Sequence, residues 1–116
     1  MRVNEIKNLT PHKIVLVLDE LMEITPEETP LRLEAKTELK DYIEYDNKRI
    51  PELTTVFGEP NFIPERVPGR IYVVSLLVCQ YFTDRDDFYI VGETVRNSDG
   101  QIIGAKGLIR NPYFKG

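Results

Sequence analysis

The sequence predicts an α+β fold. It reads as one small domain over residues 1–116, built mainly on an antiparallel or mixed β-sheet with one or two short helices. Three observations carry that reading. The runs KIVLVL (13–18) and RIYVV (70–74) are short and rich in β-branched residues, which suits buried strands better than helices. From Leu33 to Leu39, apolar or small residues alternate with Arg32, Glu34, Lys36 and Glu38, the period of a half-covered antiparallel strand. Finally, Ser98-Asp99-Gly100 lies between two β-rich runs, DFYIVGETVRN and GQIIGAKGLIR, and Asp-Gly in that setting signals a hairpin.

Each element follows in order. The strand opening at Lys13 is expected to be central, with Ile14, Leu16 and Leu18 on one face, Val15 and Val17 on the other, and both faces covered. The acidic segment DELMEITPEETP (19–30) predicts a turn, a short strand over Leu21–Ile24 and an exposed loop. The alternating run that follows has a helical rival, because Ala, Glu, Leu and Lys all favour helices. Asp46-Asn47 then supplies a turn before a second extended segment ending near Gly58. NFIPERVPG (61–69), with two prolines and a glycine, reads as an irregular connector. After Val74, Ser75 is placed to cap a short helix with Leu77, Val78 and Tyr81 or Phe82 turned inward. A continuous strand through Phe82 is the alternative.

Composition bounds the function. A formal charge of −4 argues against a coat for duplex nucleic acid, since phosphate-backbone binding calls for a surplus of Lys and Arg. Cys79 is the only cysteine, so an intrachain disulfide and a cysteine-built metal site are both excluded. The longest apolar run, IYVVSLLV, is far below the roughly 20 residues that cross a bilayer. The first ten residues lack the apolar heart of a signal peptide, and the expectation is a cytoplasmic protein with no membrane partner. Open strand edges in a small sheet-rich chain lead to the expectation of a homodimer.

The candidate chemistry begins with the single histidine, His12, which follows the rigid step Thr10-Pro11. Imidazole is a versatile proton carrier and ligand, but a lone histidine is more often part of a turn that launches a strand. Ser75 interrupts an apolar run and is expected to be buried. As a helix cap it would also sit beside backbone N–H groups suited to an anion. Asp84, Arg85, Asp86 and Asp87 are consecutive; they lack calcium-loop spacing, so no metal site is expected. Arg85 is the member suited to bidentate recognition of phosphate or carboxylate. The Gly-x-x-Gly of IIGAKGLI imitates the backbone clamp of RNA-binding KH domains, but a hairpin turn precedes it where a helix is required.

Three phrases, NLTPHKIVLV, PGRIYVVSLLV and RDDFYIVGETVRNSDGQIIGAKGL, resemble a family of small bacterial and phage proteins. The likeness covers Asn8–Val17 and Pro68–Leu108, with only RIPELTTVFG shared between them. It implies a bacterial or phage context, a host cytoplasm if viral, and groups Asn8, Thr10 and His12 with Ser75, Arg85, Asp86 and Arg96 as one ligand-binding set. The expected function is a small binding protein that sequesters an anionic, phosphate-containing, nucleotide-derived molecule. Ser75, Arg85 and Arg96 would meet phosphate, while Asn8 and His12 would read base or ribose. No cofactor and no catalytic residue is assigned. Two other readings stand beside it: a structural or interaction module of a phage or host complex, and a small hydrolase or lyase in which His12 acts as general base beside Asp86 or Asp87.

Overall fold

The computed structural model describes residues 1–116. The chain runs β1 (Glu5–Asn8), β2 (Ile14–Val17), β3 (Leu21–Ile24), β4 (Leu33–Tyr45), β5 (Lys48–Pro60), β6 (Arg70–Val73), α1 (Leu76–Tyr81), β7 (Phe88–Val91), β8 (Thr94–Arg96), β9 (Ile102–Ala105) and β10 (Leu108–Arg110). The structure is therefore mostly β, with one helix of six residues. No helix is long and apolar enough to cross a membrane.

Two four-stranded sheets form a body, and β4 with β5 forms a separate ribbon, or arm. The first sheet has the order β1-β6-β7-β10, with β1, β6 and β7 parallel and β10 antiparallel to β7. The second has the order β3-β2-β9-β8, with β2 and β9 parallel. The first sheet is the middle layer. Val73 on one face of β6 packs with Ile14, Leu16, Ile24 and Ala105 of the second sheet. Tyr72 and Val74, on its other face, pack with Val78, Cys79 and Phe82 from the helix segment and with Leu9, Leu31 and Phe88.

Local chemistry explains how the strands start and switch sheets. Val67-Pro68-Gly69-Arg70 closes a β-turn through Arg70 N–H to Val67 C=O at 3.0 Å. Gly69 sits at φ +79°, as the third position of a type II turn requires. The two β-rich runs of the last third each divide between the sheets: β7 and β10 lie in the first, β8 and β9 in the second. The crossing point is a backbone contact, Gly92 N–H to Gly107 C=O at 2.7 Å. A Cβ on Gly92 would come within 2.8 Å of that oxygen, so only glycine allows the approach.

The expectations for individual strands hold with two corrections. β2 is central, between β3 and β9, but only Ile14 and Leu16 are buried. No layer covers the Val15/Val17 face, and Leu18 lies beyond the strand, 53% exposed. The alternating run is a strand rather than a helix, yet it is covered on neither face over most of its length. It pairs with β5 from Leu33↔Pro60 to Tyr45↔Lys48, with register shifts between Leu33 and Ala35 and between Leu39 and Asp41. The turn Asp46-Asn47 has φ +52° and +60°, the type I′ geometry that matches strand twist.

Candidate functional site: a cleft at the seam of the two sheets

The segment NLTPH carries the chain from the first sheet to the second. Asn8 ends β1 fully buried, and its side chain makes four contacts. Its Nδ2 donates to the carbonyls of His12 (2.8 Å) and Ile24 (3.0 Å), and its Oδ1 accepts from Thr10 N–H (2.9 Å) and Thr10 Oγ1 (2.6 Å). This is an Asx-turn with a hydroxyl added to it. Asn8 and Thr10 are thus committed to the turn, while His12 is exposed and its imidazole has no hydrogen-bond partner in the chain.

A cleft of about 640 Å³ opens beside this turn. Thr10 follows β1, Ser75 and Leu76 follow β6, and Ile90 and Val91 end β7, so the cleft lies outside the carboxyl ends of three parallel strands. That is where parallel sheets leave room for ligands, because the chain departs in different directions there. Its far wall is β9, from Ile102 to Ala105, brought over by parallel pairing with β2. The floor is aliphatic. The polar lining is Thr10, His12, Lys13, Ser75 and Thr94; no carboxylate and no Phe or Tyr ring takes part.

Ser75 is the N-cap of α1, and its Oγ accepts from Val78 N–H at 3.3 Å. The expected cap is present, but Ser75 is exposed rather than buried. With six residues, α1 is too short to offer an anion site of its own, and Val78 N–H is already satisfied by the cap. The serine O–H and the Thr94 O–H remain free to donate. Lys13 reaches Glu23 at 3.3 Å on the surface.

Four of the seven expected site residues do not reach this cleft. Arg85 is only 5% exposed. Its Nε and Nη2 each donate to Asp87 at 2.8 Å, Nη1 donates to Pro64 C=O at 2.8 Å, and the guanidinium lies 4.5 Å from the Phe88 ring centre. Its donors are spent on tying the connector to the start of β7, on the helix side of the middle sheet. Asp86 accepts from Arg66 Nη1 at 2.7 Å, a hydrogen bond that holds its carboxyl below the ordinary range. Arg96 donates to Gly100 C=O at 2.6 Å and closes the β8–β9 hairpin. Asn8 is the buried anchor just described. NLTPH and DRDD therefore do not share a pocket: Arg85 and Asp86 are absent from the lining, and the pairing of His12 with Asp86 or Asp87 is lost with them.

Thr10, His12 and Ser75 do meet, as the sequence grouping implied. Lys13, Thr94, Val91 and Ile103 were missed. Lys13 had a signal, being next to the histidine in a turn already suspected. The other three are brought in by strand pairings across the two sheets and carry no mark in the sequence. No grouping of His, Cys, Asp and Glu is suited to a metal ion.

The fold and cleft thus define a β-rich protein with an aliphatic pocket and a weakly basic, hydroxyl-bearing rim. No protein-family model, curated protein or solved structure matches the chain.

Proposed function

We propose that the protein binds and holds a small anionic, nucleotide-derived molecule in this cleft. The observation that carries the reading is the convergence of His12, Lys13 and the hydroxyls of Ser75 and Thr94 over an aliphatic floor whose lining holds no carboxylate, Glu23 meeting Lys13 on the surface beyond it. Such a lining favours a ligand with an apolar, flat body and one negative end. The base would lie against Ile90, Val91 and Ile103, the ribose hydroxyls would meet Ser75 and Thr94, and a single phosphate would sit at His12 and Lys13. One lysine and one imidazole suit one phosphate better than a polyphosphate. Holding without turnover is the simpler chemistry, because His12 has no acidic partner to orient it as a general base. In the bacterial or phage setting that the sequence resemblance implies, such a protein lowers the free concentration of its ligand.

The test is thermal unfolding with nucleoside monophosphates and their cyclic relatives, together with mass spectrometry of small molecules released by heating the purified protein. A native-state binder must raise the melting temperature as ligand is added, by mass action. His12→Ala is expected to leave the unliganded melting temperature unchanged and to abolish the ligand-induced rise. No shift with any nucleotide, and no nucleotide released, would remove the proposal.

A further inference from the structure

The β4–β5 arm is about 43 Å long at ~3.3 Å per residue, its strands being 13 residues each. It touches the body only at its root, where Phe57 meets Tyr81 edge to face with ring centres 6.0 Å apart and Asn61 clamps Pro30 and Arg32. The register puts Thr37/Thr55, Leu39/Leu53 and Tyr42/Pro51 on one face, ending in the opposite charges of Glu44/Arg49. Leu39 and Leu53, in the middle of that stripe, are 53% and 57% exposed. A two-stranded ribbon with a bare apolar face is marginal alone in water.

The body has a second uncovered apolar face. On the outside of the second sheet, Val17, Leu21 and Val95 share a side with the ion pair Lys13–Glu23, and Leu21 is 64% exposed. We infer that these two faces cover each other between two copies of this chain: each copy lays its arm across the outer face of the other's second sheet.

Area and charge select this occupant. One face of the ribbon is roughly 400 Å², about half the ~800 Å² per partner of a standard interface. Arm against arm would stop there. The outer face of the second sheet, four strands of three or four residues, is roughly 250 Å², so a reciprocal exchange about a two-fold axis, in which each chain both gives and receives an arm, covers roughly 500 Å² per chain and about 1,000 Å² in all, the lower bound of a specific interface. Only a second copy supplies both surfaces at once. Neither face carries a net charge: on the arm Glu44 stands opposite Arg49, whose guanidinium lies 3.9 Å from the Tyr42 ring centre, and on the sheet Lys13 pairs with Glu23. In a chain of net charge −4, neither face selects a strongly charged partner such as nucleic acid. The exchange does not rest on the cleft binding a nucleotide, although Lys13 stands at the edge of both surfaces.

Sedimentation of the full chain at micromolar concentration is expected to give a dimer. Leu53→Glu on the arm and Leu21→Glu on the outer face should each weaken it by about tenfold or more. Both residues are exposed, so circular dichroism and thermal unfolding are expected to show the body folded in both variants. Mixing the two variants is the decisive step. In a mixed dimer one arm-to-sheet contact is intact and the other carries both changes, whereas either variant alone spoils both contacts. The mixture should therefore dimerise more tightly than either component. A monomeric wild-type chain would overturn the exchange, as would a Leu21→Glu protein that dimerises like wild type. A mixture no tighter than its parts would overturn it as well.

Discussion

Phe88 in β7 and Leu53 in β5 are both apolar strand residues with an apolar neighbour across the ladder or beside it. Phe88 is fully buried among Tyr72, Phe82 and the Arg85 guanidinium, whereas Leu53 is 57% exposed with Leu39 opposite. The body encloses its strands between layers; the arm has strand pairing and nothing stacked on it. The effect on shape is large. The radius of gyration is 17.7 Å and the longest dimension 56 Å, against about 13 Å for a compact chain of this length. Hydrogen bonds along a ladder make a ribbon, but burying side chains requires a second layer.

That contrast is open to attack through stability measurements, taken from the largest effect to the smallest. Phe88→Ala is expected to cost about 3–5 kcal/mol in urea unfolding, because it empties a site at the centre of the helix-side core. Arg85→Ala should fall in the same range, about 3–5 kcal/mol, since it strands the poorly exposed Asp87 carboxylate. A melting temperature untouched by Arg85→Ala would show that the Asp87 and Pro64 contacts do not hold the connector in place. Cys79 gives a smaller and pH-dependent effect. Burial pushes its thiol up to about 11, so the native state keeps a proton that the unfolded chain has lost above about pH 9. Its contribution is complete below that value, and stability is expected to fall as pH rises from about 9 to about 11. Under native conditions at pH 8 the thiol should resist alkylation, and a rapid reaction would show that the helix layer opens. Leu53→Ala lies at the far end. It should change the unfolding of the monomeric body by no more than about 0.5 kcal/mol, and a cost near that of Phe88→Ala would mean the arm is part of the body's cooperative unit.

Much of this was legible beforehand because it rests on local chemistry. The β-branched runs, the Asp46-Asn47 and Asp99-Gly100 turns, the Ser75 cap and the NLTP turn all follow from which backbone angles and short-range hydrogen bonds those residues permit. The grouping of Thr10, His12 and Ser75 was also recoverable, since each stands at the end of a recognisable strand or turn. The role of Arg85 was not. A guanidinium in a polar turn looks the same whether its donors face a ligand or, as here, Asp87 and a proline carbonyl 21 residues away.

What the sequence determined by itself, then, was where strands begin and end and which residues can turn a corner. The tertiary structure alone decided which strands share a sheet. It split each of the last two β-rich runs at Gly92 and Gly107, carried β9 over to wall the cleft, and left β4 and β5 without a covering layer. The physical reason is range. Turn and capping preferences act over a few neighbouring residues, whereas sheet partnership and layering depend on which distant apolar faces can be buried together, and alternation along one strand does not say what lies above it.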